Sequence, residues 1–309
     1  MHKSIKLAGL LAAVLSLAAC NSSDNDEGGK ELPASQQTVR SHSHNDYHLE
    51  DPFYGALNLG FGSFEADVFW RDGYDEVLIA HDEWETALEW SFDEMYIQPI
   101  VEHVRNNGYQ FFDNWDYSVV LLVDIKTEGL STWLAVEEVL EQYPDVFTRY
   151  EDGEVHQGPV TAIISGDRPI NEMSDANLRY SFVDGRMGDL EEGYDATLMP
   201  LISNNFNYFN NDKFGNFFGK GEWPQEALDE LSRITDIAHA NHQKIRFWAT
   251  PEGRDDINEH IWRELINADV DFINTDHQQA LHDWLLENDP HPSKPSVDWL
   301  DHDAWYSMY

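Results

Sequence analysis

Short apolar runs alternate with helical patterns along most of this chain, and that alternation restricts its fold more than any other feature. The strand-like runs are TVRSHSHN, GSFEADVFW with its neighbour EVLIAHD, SVVLLVDIK, VTAIISG, RYSFVDG, TLMPLIS, KIRFWATP and VDFINTD. Between several of them lie YIQPIVEHVRNNG, STWLAVEEVLEQYP, PQEALDELSRITDIAHANH and RDDINEHIWRELINA, each closed by Gly, Pro, Asn or a polar turn. Strands that alternate with helices form parallel sheets. About eight of them over roughly 245 residues predict an α/β fold, a closed (β/α)₈ TIM barrel in a single domain. An open doubly wound sheet is the alternative, weakened because no Gly-rich fingerprint follows the first strand.

The first twenty residues, MHKSIKLAGLLAAVLSLAAC, place Lys3 and Lys6 ahead of an apolar run too short to span a bilayer. The end of this segment resembles the lipobox of bacterial lipoproteins, which implies lipidation of Cys20. Cys20 is also the sole cysteine of the chain, so it has neither an intramolecular disulfide partner nor a thiolate cluster for zinc. The polar stretch NSSDNDEGGKELPASQQ reads as a flexible tether. The expected organisation is thus a signal peptide over 1–19, a lipidated tether over 20–38 and the barrel domain over 39–309, with a Pro- and aromatic-rich tail from about 287. Asn21 in place of an aspartate after the lipidated cysteine points to an exported protein anchored at a bacterial outer membrane.

Acidic side chains outnumber basic ones 58 to 19, a formal charge of −39. Such a surface repels nucleic acid and anionic headgroups and offers no basic stripe. An anionic substrate therefore needs a local cation in order to approach.

The ionisable residues gather at strand ends. His42, His44 and Asn45 close the first strand, Glu65 and Asp67 lie in the second, His81 and Asp82 end LIAHD, and Asp124 and Lys126 end VVLLVDIK. Residues two apart on a strand share a face, so Glu65 pairs with Asp67, His42 with His44 and Asp124 with Lys126. In a closed barrel that face can be the interior near the C-terminal rim. Three carboxylates crowded there without compensation would cost many kcal/mol or take up protons. One divalent cation removes the penalty, and oxygen ligands select Mg²⁺ or Ca²⁺.

HSHNDY, GFGSFEADV, AHD and LLVDIK together resemble the barrel phosphodiesterases related to phosphatidylinositol-specific phospholipase C. The similarity is greatest to the glycerophosphodiester phosphodiesterases and spider-venom phospholipase D enzymes, and in particular to a branch named after a yeast protein affecting mitochondrial inheritance. It runs from about residue 39 to Asp276, and its specificity lies in the ordered set rather than in any one motif. The resemblance implies Glu65, Asp67 and Asp124 as metal ligands, His42 as the first acid–base histidine and His81 as the second. His44 competes with His42 for the first role. His44 and Asn45 otherwise support a histidine or contact phosphate, and Lys126 holds phosphate as a point charge. Arg168 is a weaker phosphate candidate and Trp248 a candidate pocket wall. The chain lacks the His-Arg-Gly and Glu-Asn-Thr segments of the glycerophosphodiesterases, which leaves phosphate recognition open and allows only three acidic ligands to be carried over.

The expected function is metal-dependent cleavage of a phosphodiester, such as a glycerophosphodiester or a phospholipid headgroup, with no obligate protein partner. Two histidines suit it because their pKa lies near neutrality. Whether water or a substrate hydroxyl attacks is not set by these residues. Two other readings stand beside this one: a ligand-capturing surface lipoprotein without turnover, and a zinc amidohydrolase, for which later strand ends lack histidines. His239, His242, His260 and His282, on predicted helices, are expected to face outward.

Overall fold

A computed structural model describes residues 37–217, 221–251 and 255–297. Eight strands run in chain order: β1 Thr38–Ser43, β2 Phe61–Phe69, β3 Val119–Ile125, β4 Val160–Gly166, β5 Ser181–Gly185, β6 Leu201–Asn205, β7 Lys244–Trp248 and β8 Phe272–Thr275. Each pairs in parallel with the next, and β8 returns to β1, so the sheet is a closed eight-stranded barrel. The run EVLIAHD does not join it: only Leu78–Ile79 is extended, antiparallel to Val68 and Phe69 at the end of β2.

Helices α1 Gln98–Asn106, α2 Gly129–Leu140, α3 Gln225–Ala240 and α4 Asp255–Asn267 form where the helical pattern predicts them, and α5 Gln278–Asn288 follows β8. The outward side chains Leu121, Val123 and Ile125 of β3 join Val136 and Leu140 of α2 in the main apolar core. Their alternates Val120 and Leu122 point inward, where Ile163, Phe182, Leu201 and Phe272 complete a separate apolar floor inside the barrel. Val297 belongs to that floor. Val39 donates its backbone N–H to the Pro292 carbonyl, and Lys244 Nζ donates to the Val297 carbonyl, so the segment beyond α5 covers the N-terminal mouth.

His282 departs from expectation. On α5 it is buried, with Nδ1 3.3 Å from Thr38 Oγ1, because α5 packs that face against the start of β1. His239 also turns toward the barrel, 2.9 Å from Asp271.

Candidate active site

Above the floor the inward positions become polar. The register sets Asp67 beside Asp124 and Asp124 beside Ser165, so the β2, β3 and β4 side chains meet at one level. Glu65, Asp67 and Asp124 bring one oxygen each to within 4.8 Å of one another. Gly166 permits this approach: at φ 70° it adopts a backbone that disfavours a side chain, and a Cβ there would collide with Asp124 Oδ1 and the Ile125 carbonyl.

Two cations reach the cluster. Arg246 on β7, buried, donates from Nη2 to Glu65 Oε2 at 2.8 Å and from Nε and Nη2 to Asn274 Oδ1 on β8. Lys126 Nζ lies 2.8 Å from Asp67 Oδ2 and 3.0 Å from Asp124 Oδ2. Three carboxylates against two cations leave one net negative charge. Burial pushes the Asp67 carboxyl well up, and neighbouring Glu65 adds to the rise while Lys126 opposes it. Asp124 is raised by burial in the same way. Burial would raise Glu65 too, but Arg246 and the His42 hydrogen bond hold it below the usual range.

Asp67 is 0% exposed, and its Oδ2 accepts from the Tyr47 hydroxyl at 2.7 Å as well as from Lys126. Its Oδ1 is buried without a hydrogen-bond partner among the described residues. An orphaned carboxylate oxygen inside an all-oxygen donor set with surplus negative charge fits a hard divalent cation.

The two histidines of β1 lie at different depths. His42 is 0% exposed, with Nδ1 2.7 Å from Ser63 Oγ and Nε2 3.0 Å from Glu65 Oε2. Burial, then Arg246, lowers its pKa to about 3, so it is neutral, donating from Nε2 to Glu65 and accepting from Ser63. Both ring nitrogens are thereby engaged by protein groups, which sets His42 apart from His44, its competitor for the first acid–base role. One step up the strand, the His44 side chain is 24% exposed and its Nδ1 lies 2.7 Å from Asp276 Oδ1, beyond the end of β8. This contact fixes the proton on Nδ1, and Nε2 has no hydrogen-bond partner among the described residues. Asn45, in the left-handed region at φ 47°, turns the chain after His44 and accepts from the Tyr47 hydroxyl.

His81 follows the Leu78–Ile79 strand, where the Ala80 N–H bonds to the Asp67 carbonyl, and its side chain is 48% exposed. Glu85 pins this turn by accepting from the His81 and Asp82 backbone N–H groups, while its other oxygen meets His48 at 2.9 Å. Arg168 lies at the rim, but Nη1 is committed to the Asp184 carbonyl. Trp248 is half-buried at the end of β7 and shares the Arg246 face by alternation.

Arg246, Asn274, Tyr47, Ser63 and Asp276 complete the site and were not assigned to it from sequence. Period-two alternation in KIRFW and FINTD was the available signal, since it puts Arg246 and Asn274 on interior faces. Arg246→Met leaves Glu65 buried without its cation, so it is expected to lower unfolding free energy by about 3–5 kcal/mol in urea titrations of metal-free protein. An unchanged midpoint would show that the pair is not a structural element.

Residues 30–184, about half of the chain, match the AIM6-like phosphodiesterase domain. The chain belongs to that family. An altered inheritance of mitochondria protein 6 homolog from Arthroderma benhamiae is 26% identical, over 77% of this chain and 81% of that protein. The altered inheritance of mitochondria protein 6 of Eremothecium gossypii is 25% identical, over 88% and 77%, and that of Saccharomyces cerevisiae 26%, over 76% and 68%. A phosphatidylinositol-specific phospholipase C from Listeria monocytogenes aligns with a TM-score of 0.46 and 10% identity, over 83% of this chain and 96% of that one. These AIM6-like relatives correct the expected location: they are fungal proteins, so a bacterial outer-membrane lipoprotein does not stand. Cys20 and the expected signal segment lie outside the described residues.

Proposed function

We propose that the chain cleaves a phosphodiester at the rim of the barrel, with one Mg²⁺ or Ca²⁺ held by Glu65, Asp67 and Asp124. The observation that carries this reading is the orphaned Asp67 Oδ1 among three buried carboxylates, on the same rim as the His44–Asp276 pair. When bound, the cation supplies charge neutralisation at the nonbridging phosphate oxygens.

The remaining roles fall to the protein's own residues. His44 Nε2 accepts the proton of the attacking hydroxyl or water, and Asp276 orients the ring and stabilises its protonated form. His81, on the turn fixed by Glu85, returns a proton to the leaving oxygen. Lys126 offers a point charge to phosphate, and Trp248 walls the pocket. His42 is a positioning residue that holds Glu65. The substrate class is a glycerophosphodiester or a phospholipid headgroup, and the acidic surface argues against nucleic acid.

One observation favours a second reading. Arg246 and Lys126 already contact all three carboxylates, so fixed cations stand where a metal-free phosphodiesterase would need them. The test is turnover of a panel of glycerophosphodiesters, lysophospholipids and phosphoinositides, beside His81→Ala. Cleavage reduced about 10²-fold or more by the substitution supports the acid–base role. A folded wild-type protein that turns over no member of the panel would refute the proposal and favour ligand capture.

A further inference from the structure

A cleft of about 690 Å³ opens beside His44, between the loop after β1 and helices α4 and α5. Asp276 belongs to both places, lining the cleft and pairing with His44. Four of the lining side chains are acidic, among them Glu259 and Asp276, and none is Lys or Arg. In a chain of charge −39 that would mean little by itself. Three further features give the cleft a chemistry.

Trp262 and Trp284 line it while only 4% and 7% exposed, with ring centroids 5.7 Å apart. Indole faces attract organic cations, and Arg263, the neighbouring cation outside the lining, already lies 5.6 Å from the Trp284 centroid. Asn258, 5% exposed, lines the cleft with a buried Oδ1 that has no hydrogen-bond partner among the described residues. Trp284 Nε1 is likewise buried and, among the described residues, unpartnered. A buried acceptor and a buried donor left open are costly unless a ligand or water satisfies them.

We infer that this cleft binds the amino-alcohol part of the substrate, as a primary ammonium whose N–H groups reach Asn258 Oδ1. This inference rests on the phosphodiesterase reading and names the alcohol esterified to the phosphate. A primary ammonium satisfies the aromatic walls, the acidic lining and the open acceptor together, and the alcohol oxygen can accept from Trp284 Nε1. A trimethylated ammonium has no N–H to donate, so it leaves Asn258 unsatisfied. An amino acid alcohol such as serine brings a carboxylate against the acidic wall. A neutral polyol makes no use of the indoles.

Two arms test this with the full-length protein. In the first, kcat/KM is compared for glycerophosphoethanolamine, glycerophosphocholine and glycerophosphoglycerol. In the second, ethanolamine and choline are titrated directly by calorimetry and tryptophan fluorescence, with no turnover required. Each arm includes Asn258→Leu and Glu259→Gln, the latter an exposed position, after native melting has been checked. The expected result is a preference of about tenfold for the primary ammonium in both arms, collapsing to within about twofold in Asn258→Leu. Equal binding of ethanolamine and choline, or binding of neither, overturns the inference and leaves turnover of other diesters standing. Ethanolamine binding without cleavage of any diester overturns the phosphodiesterase reading, and with it the cleft's role as a substrate subsite.

Discussion

Asp67→Asn is expected to reduce the proposed phosphodiester turnover by about 10³-fold or more, equivalent to roughly 4 kcal/mol of lost transition-state stabilisation, while the protein stays folded. The amide keeps the shape of the side chain but removes the charged, orphaned oxygen that makes the cluster fit a cation. Stability is expected to move the other way. Burial, then Glu65, raises the Asp67 pKa in the metal-free fold, so its stabilising contribution is present below the ordinary aspartate value and is lost as pH rises through the folded one. Deprotonating Asp67 in the buried metal-free site therefore costs stability, and the neutral amide avoids that cost. Thermal melts in chelator should place Asp67→Asn at or above wild type, and added Mg²⁺ or Ca²⁺ should raise only the wild-type midpoint. A variant that melts far below wild type in chelator would mean that the Lys126 and Tyr47 contacts to Asp67 outweigh the repulsion.

The second large effect separates two histidines that sequence spacing cannot. His44→Ala is expected to lower kcat by about 10²–10⁴-fold with little change in stability, because the ring reaches the rim and, among the described residues, hydrogen-bonds to Asp276 and Asn45. His42→Ala is expected to cost stability, since it strips partners from buried Ser63 and Glu65, on the order of 1–3 kcal/mol for each group left unsatisfied. Acid sensitivity adds a signature. The His42 pKa is held down to about 3 by burial and then by Arg246, so the stability it contributes is complete above the ordinary histidine value near 6.5 and drains away as pH falls toward 3. Stability measured between pH 7 and 4 should fall less steeply in His42→Asn, by up to about 1.4 kcal/mol per pH unit. A loss of kcat in His42→Ala without loss of stability, beside an active His44→Ala, would reverse the two assignments.

The contrast shows where sequence is informative. Alternation of strand and helix patterns is a local property, and it predicts the barrel and the inward face of each strand. Depth is not local. Whether His42 or His44 reaches the rim depends on the stagger between β1 and β2, where His42 comes to lie against Ser63 with an irregularity behind it. The three carboxylates are legible because they sit late in two neighbouring strands. Arg246 was missed although its face could be read, because its partner Glu65 is 181 residues away and only barrel closure joins them. EVLIAHD misleads for a related reason: its apolar content is that of a strand, yet the pairing edge beside β2 belongs to β3, and only Leu78 and Ile79 find a place.

A divalent cation at Glu65, Asp67 and Asp124 is proposed to support phosphodiester cleavage. The most direct test is turnover by protein stripped with a chelator, dialysed, and then titrated with Mg²⁺ or Ca²⁺ on a diester that the untreated protein cleaves. Stripping is expected to abolish turnover, one equivalent of bound metal to restore it, and Asp67→Asn to remain unrestored. Undiminished cleavage by the stripped protein would contradict the proposal and assign the charge neutralisation to Arg246 and Lys126.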